Sequence, residues 1–130
     1  MAKDAPGDKP LLDKLGVKPG MRTAVIAIDD AAFLASLRER ADVTVGDAPE
    51  DTEMVFLGVE GPADMAQLHE LRDKIARDGA VWVVNPRGVQ GFNSSDVMRL
   101  GLETGMVDVK IARFSETHSA TKFVIRKKDR

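Results

Sequence analysis

The chain has 130 residues, 43% of them hydrophobic and 31% charged, which is enough for one domain with a buried core and too little for two. Its 19 basic and 21 acidic residues leave a formal charge of -2, so no net field draws it to nucleic acid or to an anionic membrane. The absence of cysteine removes disulfides, thiolate nucleophiles and cysteine-based zinc, and the two histidines, His69 and His118, lie too far apart to form a helical metal-ligand pair.

Residues 1–9 are polar, contain Pro6 and Gly7, and lack the apolar stretch of a signal peptide, so a disordered tail is expected there. No apolar run approaches the ~20 residues that cross a bilayer, which makes the cytoplasm the default compartment. Leu11, Leu12 and Leu15 form a short helix that Gly16, Pro19 and Gly20 stop. Residues 22–28 read as a first strand. Its run Ala24-Val25-Ile26-Ala27-Ile28 is apolar without alternation, as in a strand covered on both faces. Asp29 or Asp30 then caps a helix to about Arg40, with Phe33, Leu34, Leu37 and Ala41 on one face.

A short strand at 43–45 leads into an acidic loop around Pro49, and 54–59 is another apolar strand. Pro62 opens the helix with the clearest periodicity. Met65, Leu68, Leu71 and Ile75 make its buried stripe, Glu70/Lys74 and Asp73/Arg77 its outward i,i+4 pairs, and Gly79 its terminator. A fourth strand spans 80–84. The loop 85–92 follows, and then a helix over 93–104, with Asn93 and Asp96 spaced as a capping box and Gly105 at its end. Strands at 107–114 and 120–127 are joined by a connection short enough for an antiparallel hairpin. In the first of these, Asp108 and Lys110 are expected to share one face, with Val107, Val109 and Ile111 on the other. A single domain over 10–126 and a frayed basic tail at the C-terminus complete the expectation.

Alternating strands and helices that finish in a hairpin imply an α/β fold, a Rossmann-like doubly wound, mostly parallel sheet with a C-terminal antiparallel hairpin. The segments Pro10-Leu11-Leu12-Asp13-Lys14-Leu15-Gly16-Val17-Lys18-Pro19-Gly20 and Gly105-Met106-Val107-Asp108-Val109-Lys110 carry a more specific signal. So do Glu116-Thr117-His118-Ser119 and Phe123-Val124-Ile125-Arg126. Together they resemble an uncharacterised bacterial family of short proteins with a class I methyltransferase-like fold. The resemblance covers about 10–126 and implies the fold without an activity. The chain departs from that family's pattern in the turn after the first strand, where the family has glycine, and at His118, where it has tryptophan.

Ligands of such sheets bind beyond the C-terminal strand ends. The turn Asp29-Asp30-Ala31-Ala32 lacks the glycines of a dinucleotide site, and its carboxylates repel phosphate. No cofactor is therefore expected: NAD, FAD and S-adenosylmethionine should not bind usefully, although a carboxylate of this turn could pair with the ammonium group of the last. Asp47 follows the second strand, where methyltransferase-type sites place an acid on ribose hydroxyls, but it is equally a solvated member of an acidic loop. Asn85, Arg87, Asn93 and Ser94 combine a guanidinium fork with a helix N-terminus and suit a small anionic ligand. His118, flanked by Glu116, Thr117 and Ser119, suits a proton relay or an ordinary turn. Ser94 and Ser95 lack a nucleophile elbow.

Three readings follow. The first is a non-catalytic small-ligand-binding or regulatory domain. The second is a degenerate S-adenosylmethionine-dependent methyltransferase, and the third a structural or protein-interaction domain in which Trp82 and the hairpin pack the core or form a homodimer contact.

Overall fold

The computed structural model describes residues 8–88 and 92–130. Six strands form one sheet in the order β2-β1-β3-β4-β6-β5. They are β1 (Arg22–Ile26), β2 (Asp42–Val45), β3 (Thr52–Gly58), β4 (Ile75–Pro86), β5 (Met106–Arg113) and β6 (His118–Ile125). The β1–β2, β1–β3 and β3–β4 pairs are parallel, while β6 runs antiparallel to both β4 and β5. This is the doubly wound sheet with a terminal hairpin that the element pattern implies.

Both faces are covered because the central strands are apolar on both sides. Val25, Val55, Leu57, Val81 and Val83 are buried, and Ile26 is half-buried. On one face α1 (Asp8–Leu15) and α2 (Ala31–Arg40) lay Leu12, Leu15, Phe33 and Leu37 against Val25, Phe56, Trp82 and Val84. Trp82 is spent in this core, 1% exposed, and its Nε1 donates to the Leu15 carbonyl at 2.9 Å, satisfying one of the free carbonyls at the end of α1. On the other face α3 (Gln67–Lys74) and α4 (Ser94–Glu103) bury Leu68, Leu71 and Val97 against Val55, Leu57, Val81 and Phe123.

The long helix expected from Pro62 to Gly79 is not formed. Pro62–Ala66 is a 3-10 turn, α3 ends at Lys74, and Ile75 already belongs to β4. The backbone finds better partners in the sheet: Thr52 pairs with Ile75, and the Asp51 N–H donates to the Lys74 carbonyl at 2.7 Å. Pairing resumes at Met54 with Ala80, so residues 76–79 bulge out of the ladder. Ile75 still reaches the core, 5% exposed, which is why the apolar stripe misdirects the reading. Of the outward pairs only Asp73/Arg77 is parted by the helix end, since Glu70 and Lys74 both stay in α3. Lys74 bonds Asp47 at 3.2 Å, and Arg77 donates to the Asp129 carbonyl at 3.1 Å.

Other differences are smaller. Helix α1 starts at Asp8, inside the segment expected as tail, while 1–7 lie outside the described residues. Strand β1 stops at Ile26, two residues early. Residues 127–129 form a 3-10 turn, and Asp129 accepts from Arg72 at 3.5 Å. A register shift between Asp108 and Lys110 pairs them with the adjacent residues Phe123 and Lys122, so they occupy opposite faces and not one. Among the described residues no helix is long and apolar enough to cross a membrane.

Candidate functional site

The chain leaves β1 outward to β2 and returns to β3 on the other side of β1, so the connections diverge beyond the ends of β1 and β3. A cavity of about 360 Å³ lies there. Its walls come from the turn after β1 (Ala27, Ile28, Asp29, Asp30), the end of β3 (Gly58, Val59, Glu60), Val84, and the hairpin residues Phe114, Ser115, Thr117 and His118. Two sequence candidates distant in the chain, Asp29 and His118, thus share one cavity.

Local chemistry fixes each wall. Asp30 is the N-cap of α2, its Oδ1 accepting from the Phe33 N–H at 3.0 Å, which leaves Asp29 exposed at the mouth. The turn itself is tight. Ala27 adopts φ 61°, a left-handed conformation that costs an L-residue of order 1 kcal/mol. Its carbonyl oxygen lies so near Gly58 that a Cβ there would come within 2.2 Å of it. The close approach that the sequence places in no glycine of the first turn is therefore supplied from β3. Phe114 is held at the cavity by edge-to-face contact with Phe33, centroids 4.8 Å apart, and Phe33 meets Phe56 in the same way at 5.1 Å.

The hairpin orders His118. Ser115 Oγ accepts from the backbone N–H groups of Thr117 at 3.3 Å and His118 at 3.1 Å. Both lone pairs are then used, so its own hydrogen goes to Thr117 Oγ1, 3.3 Å away. Thr117 Oγ1 in turn lies 2.7 Å from His118 Nδ1. The short contact fixes the orientation of the ring through Nδ1. Glu116, adjacent in sequence, takes no part through its carboxylate: its backbone carbonyl accepts from the Arg87 guanidinium.

Asp47 stands apart from this cavity. Its carboxyl is held below the usual range, first by the Ala48 backbone N–H and then by the Lys74 ammonium, so it serves the loop between β2 and β3.

A second crevice, about 290 Å³, is lined by Asn85, Pro86, Arg87, Gly88, Asn93, Ser94, Ser95 and Ser119. The four residues expected to act together, Asn85, Arg87, Asn93 and Ser94, are all on it. Gly91, expected to loosen the intervening loop, lies outside the described residues. Neighbouring residues of β4 and β6 divide between the two sites: Val84 and His118 line the first, Asn85 and Ser119 the second. The sites accordingly open on opposite faces of the same strand ends.

No family model and no curated protein matches the chain. Solved structures do. A SAM-dependent methyltransferase from Aquifex aeolicus superposes with a TM-score of 0.73 at 10% identity, over 91% of this chain and 89% of that one. A SAM-dependent O-methyltransferase from Thermotoga maritima gives 0.64 at 11% identity over 94% and 66%. A TehB-like SAM-dependent methyltransferase from Corynebacterium glutamicum gives 0.54 at 12% identity over 92% and 88%. At such low identity the likeness establishes the fold: the chain has the Rossmann-like architecture of class I methyltransferases.

Proposed function

We propose that this chain is a small-ligand-binding domain whose ligand occupies the switch-point cavity and carries positive charge. The observation behind this reading is the charge of the walls. Asp29, Asp30 and Glu60 bring three carboxylates to one cavity, against a single titratable base, His118. An organic cation gains from all three, and the apolar Ile28, Val59, Val84 and Phe114 suit its carbon skeleton. The volume falls within the ~300–1,000 Å³ range of small-molecule sites.

S-adenosylmethionine, the cofactor named for the similar folds, is matched in part. Its sulfonium and ammonium groups suit Asp29 and Glu60. Its ribose finds no acid, because Asp47 is bound to Lys74 and does not line the cavity. The full cofactor set is thus not met, and we assign no chemical step to it. Methyl transfer remains the second reading, favoured by the shared fold and by the structure of PigF with SAH, a TM-score of 0.61 at 10% identity.

Calorimetry separates the two. Choline, spermidine, S-adenosylmethionine and S-adenosylhomocysteine would be titrated at millimolar concentration into wild type and Asp29→Asn. Binding of the simple cations, weakened in the variant, supports the first reading. Micromolar binding of S-adenosylmethionine far above the simple cations supports the second, and no response to any cation removes both.

A further inference from the structure

The cavity that gathers three carboxylates also holds one group whose charge changes near neutrality. His118, half-buried at the start of β6, lines it together with Asp29, Asp30 and Glu60. Imidazole passes from neutral to cationic between about pH 8 and about pH 5. A cation in the cavity therefore meets either a neutral ring or a second positive charge.

Local geometry holds the ring in place in both states. Its Nδ1 lies 2.7 Å from Thr117 Oγ1, and a hydroxyl both donates and accepts, so the contact serves Nδ1 with or without a proton. Thr117 and His118 are in turn tied to Ser115 Oγ by their backbone N–H groups, at 3.3 and 3.1 Å. From the other strand, the Phe114 and Ser115 N–H groups donate to the His118 carbonyl at 3.0 and 3.1 Å. Protonation thus adds charge at a fixed point on the wall, and not on a side chain free to turn into solvent.

The charged groups around the ring leave that charge to act on a ligand. Glu116, its neighbour in the hairpin, and Arg87, from the residue after β4, meet through the Glu116 carbonyl and the Arg87 guanidinium, and neither lines the cavity. Asp29 and Asp30 before α2 and Glu60 after β3 do line it, but among the described residues no carboxylate is hydrogen-bonded to the ring. A cavity of about 360 Å³ keeps a bound cation within the ~8–10 Å over which physiological salt screens a charge, so the ring acts through space and needs no contact with the ligand.

We propose that His118 sets the pH response of this cavity: protonation of its ring drives the cation out, and deprotonation admits it. This regulation rests on the cation reading of the same cavity. Linkage makes it reciprocal, so a bound cation disfavours the protonated ring by the same factor.

The test follows binding of choline, with spermidine as a second probe, to the full chain by calorimetry at about pH 5.5 and about pH 8, where the ring differs most in charge. Choline should bind wild type at least ~5-fold more tightly at the higher pH, and His118→Gln, whose side chain stays neutral, should reduce that ratio below ~2-fold. In parallel, the imidazole C–H resonances of wild type would be titrated by NMR with and without saturating choline. The His118 midpoint should move to lower pH when choline is added, while that of His69, which sits on α3 and does not line the cavity, should stay. This second measurement decides the matter if His118→Gln fails to fold. Equal affinity at both pH values, a ratio retained in His118→Gln, or a His118 midpoint indifferent to bound choline would overturn the regulation and leave the cation reading standing. No binding of choline or spermidine at either pH would overturn both.

Discussion

The two crossovers that cover one face of the sheet carry similar amphipathic patterns and end differently. The segment after β4 keeps the helix its sequence announces. Asn93 and Asp96 form the reciprocal capping box, and Gly105, at φ 90°, follows the helix end. The segment after β3 loses its last turn to the sheet, with Ile75 passing from helical stripe to strand without leaving the core. A cap acts on atoms two or three residues away and so survives any tertiary arrangement. A stripe states only which residues are buried, and strand pairing can satisfy it as well as a helix can.

The largest expected effect lies in the stripe itself. Leu68 is fully buried against the sheet, so Leu68→Ala should cost ~2–5 kcal/mol by urea unfolding, and an unchanged midpoint would detach α3 from the core. Gly79→Ala probes the bulge. A Cβ there would sit 2.9 Å from the carbonyl oxygens of Ala76 and Glu53, so a loss of ~1–3 kcal/mol is expected, and an unchanged or raised stability would deny the close approach. In the other crossover Asn93→Ala should cost ~1 kcal/mol, and a neutral result would mean that the box is dispensable.

Acid sharpens that point. The Asn93 N–H, and after it Arg99, hold the Asp96 carboxyl below its ordinary value. Its contribution is therefore present above the ordinary carboxylate range and lost as pH falls through the depressed value. Asp96→Asn should flatten the acid side of the melting profile, and a profile of unchanged slope would deny the box that role. The smallest effect is an absence. A double-mutant cycle between Asp73 and Arg77 should show no coupling, because Arg77 is bonded to the Asp129 carbonyl; the ~0.3–0.5 kcal/mol of a helical i,i+4 pair would restore the longer helix.

The candidate site was legible in pieces. Asp30 as a cap, Asp29 at the mouth and His118 in the hairpin are local facts, readable from turn chemistry. The Ser115–Thr117–His118 chain is local too, and its spacing of hydroxyls before a histidine was the signal available. Gly58 gave no such signal: its need to be glycine arises from the Ala27 carbonyl of another strand. Asp47 illustrates the reverse, a residue in the expected place whose partner, Lys74, lies 27 positions away.

What the sequence determined by itself is whatever depends on near neighbours or on simple burial. That includes the apolar strands, the capped α4, the closing hairpin and hence the doubly wound class. Tertiary structure alone decided where α3 gives way to β4, that Asp108 and Lys110 part across a bulge, and that Arg87 donates to the Glu116 and Thr117 carbonyls of the hairpin. Each of these turns on competition for backbone or side-chain hydrogen bonds between residues far apart in the chain. Such competition is settled only when the partners are brought together, because a donor satisfied by one acceptor is no longer available to another.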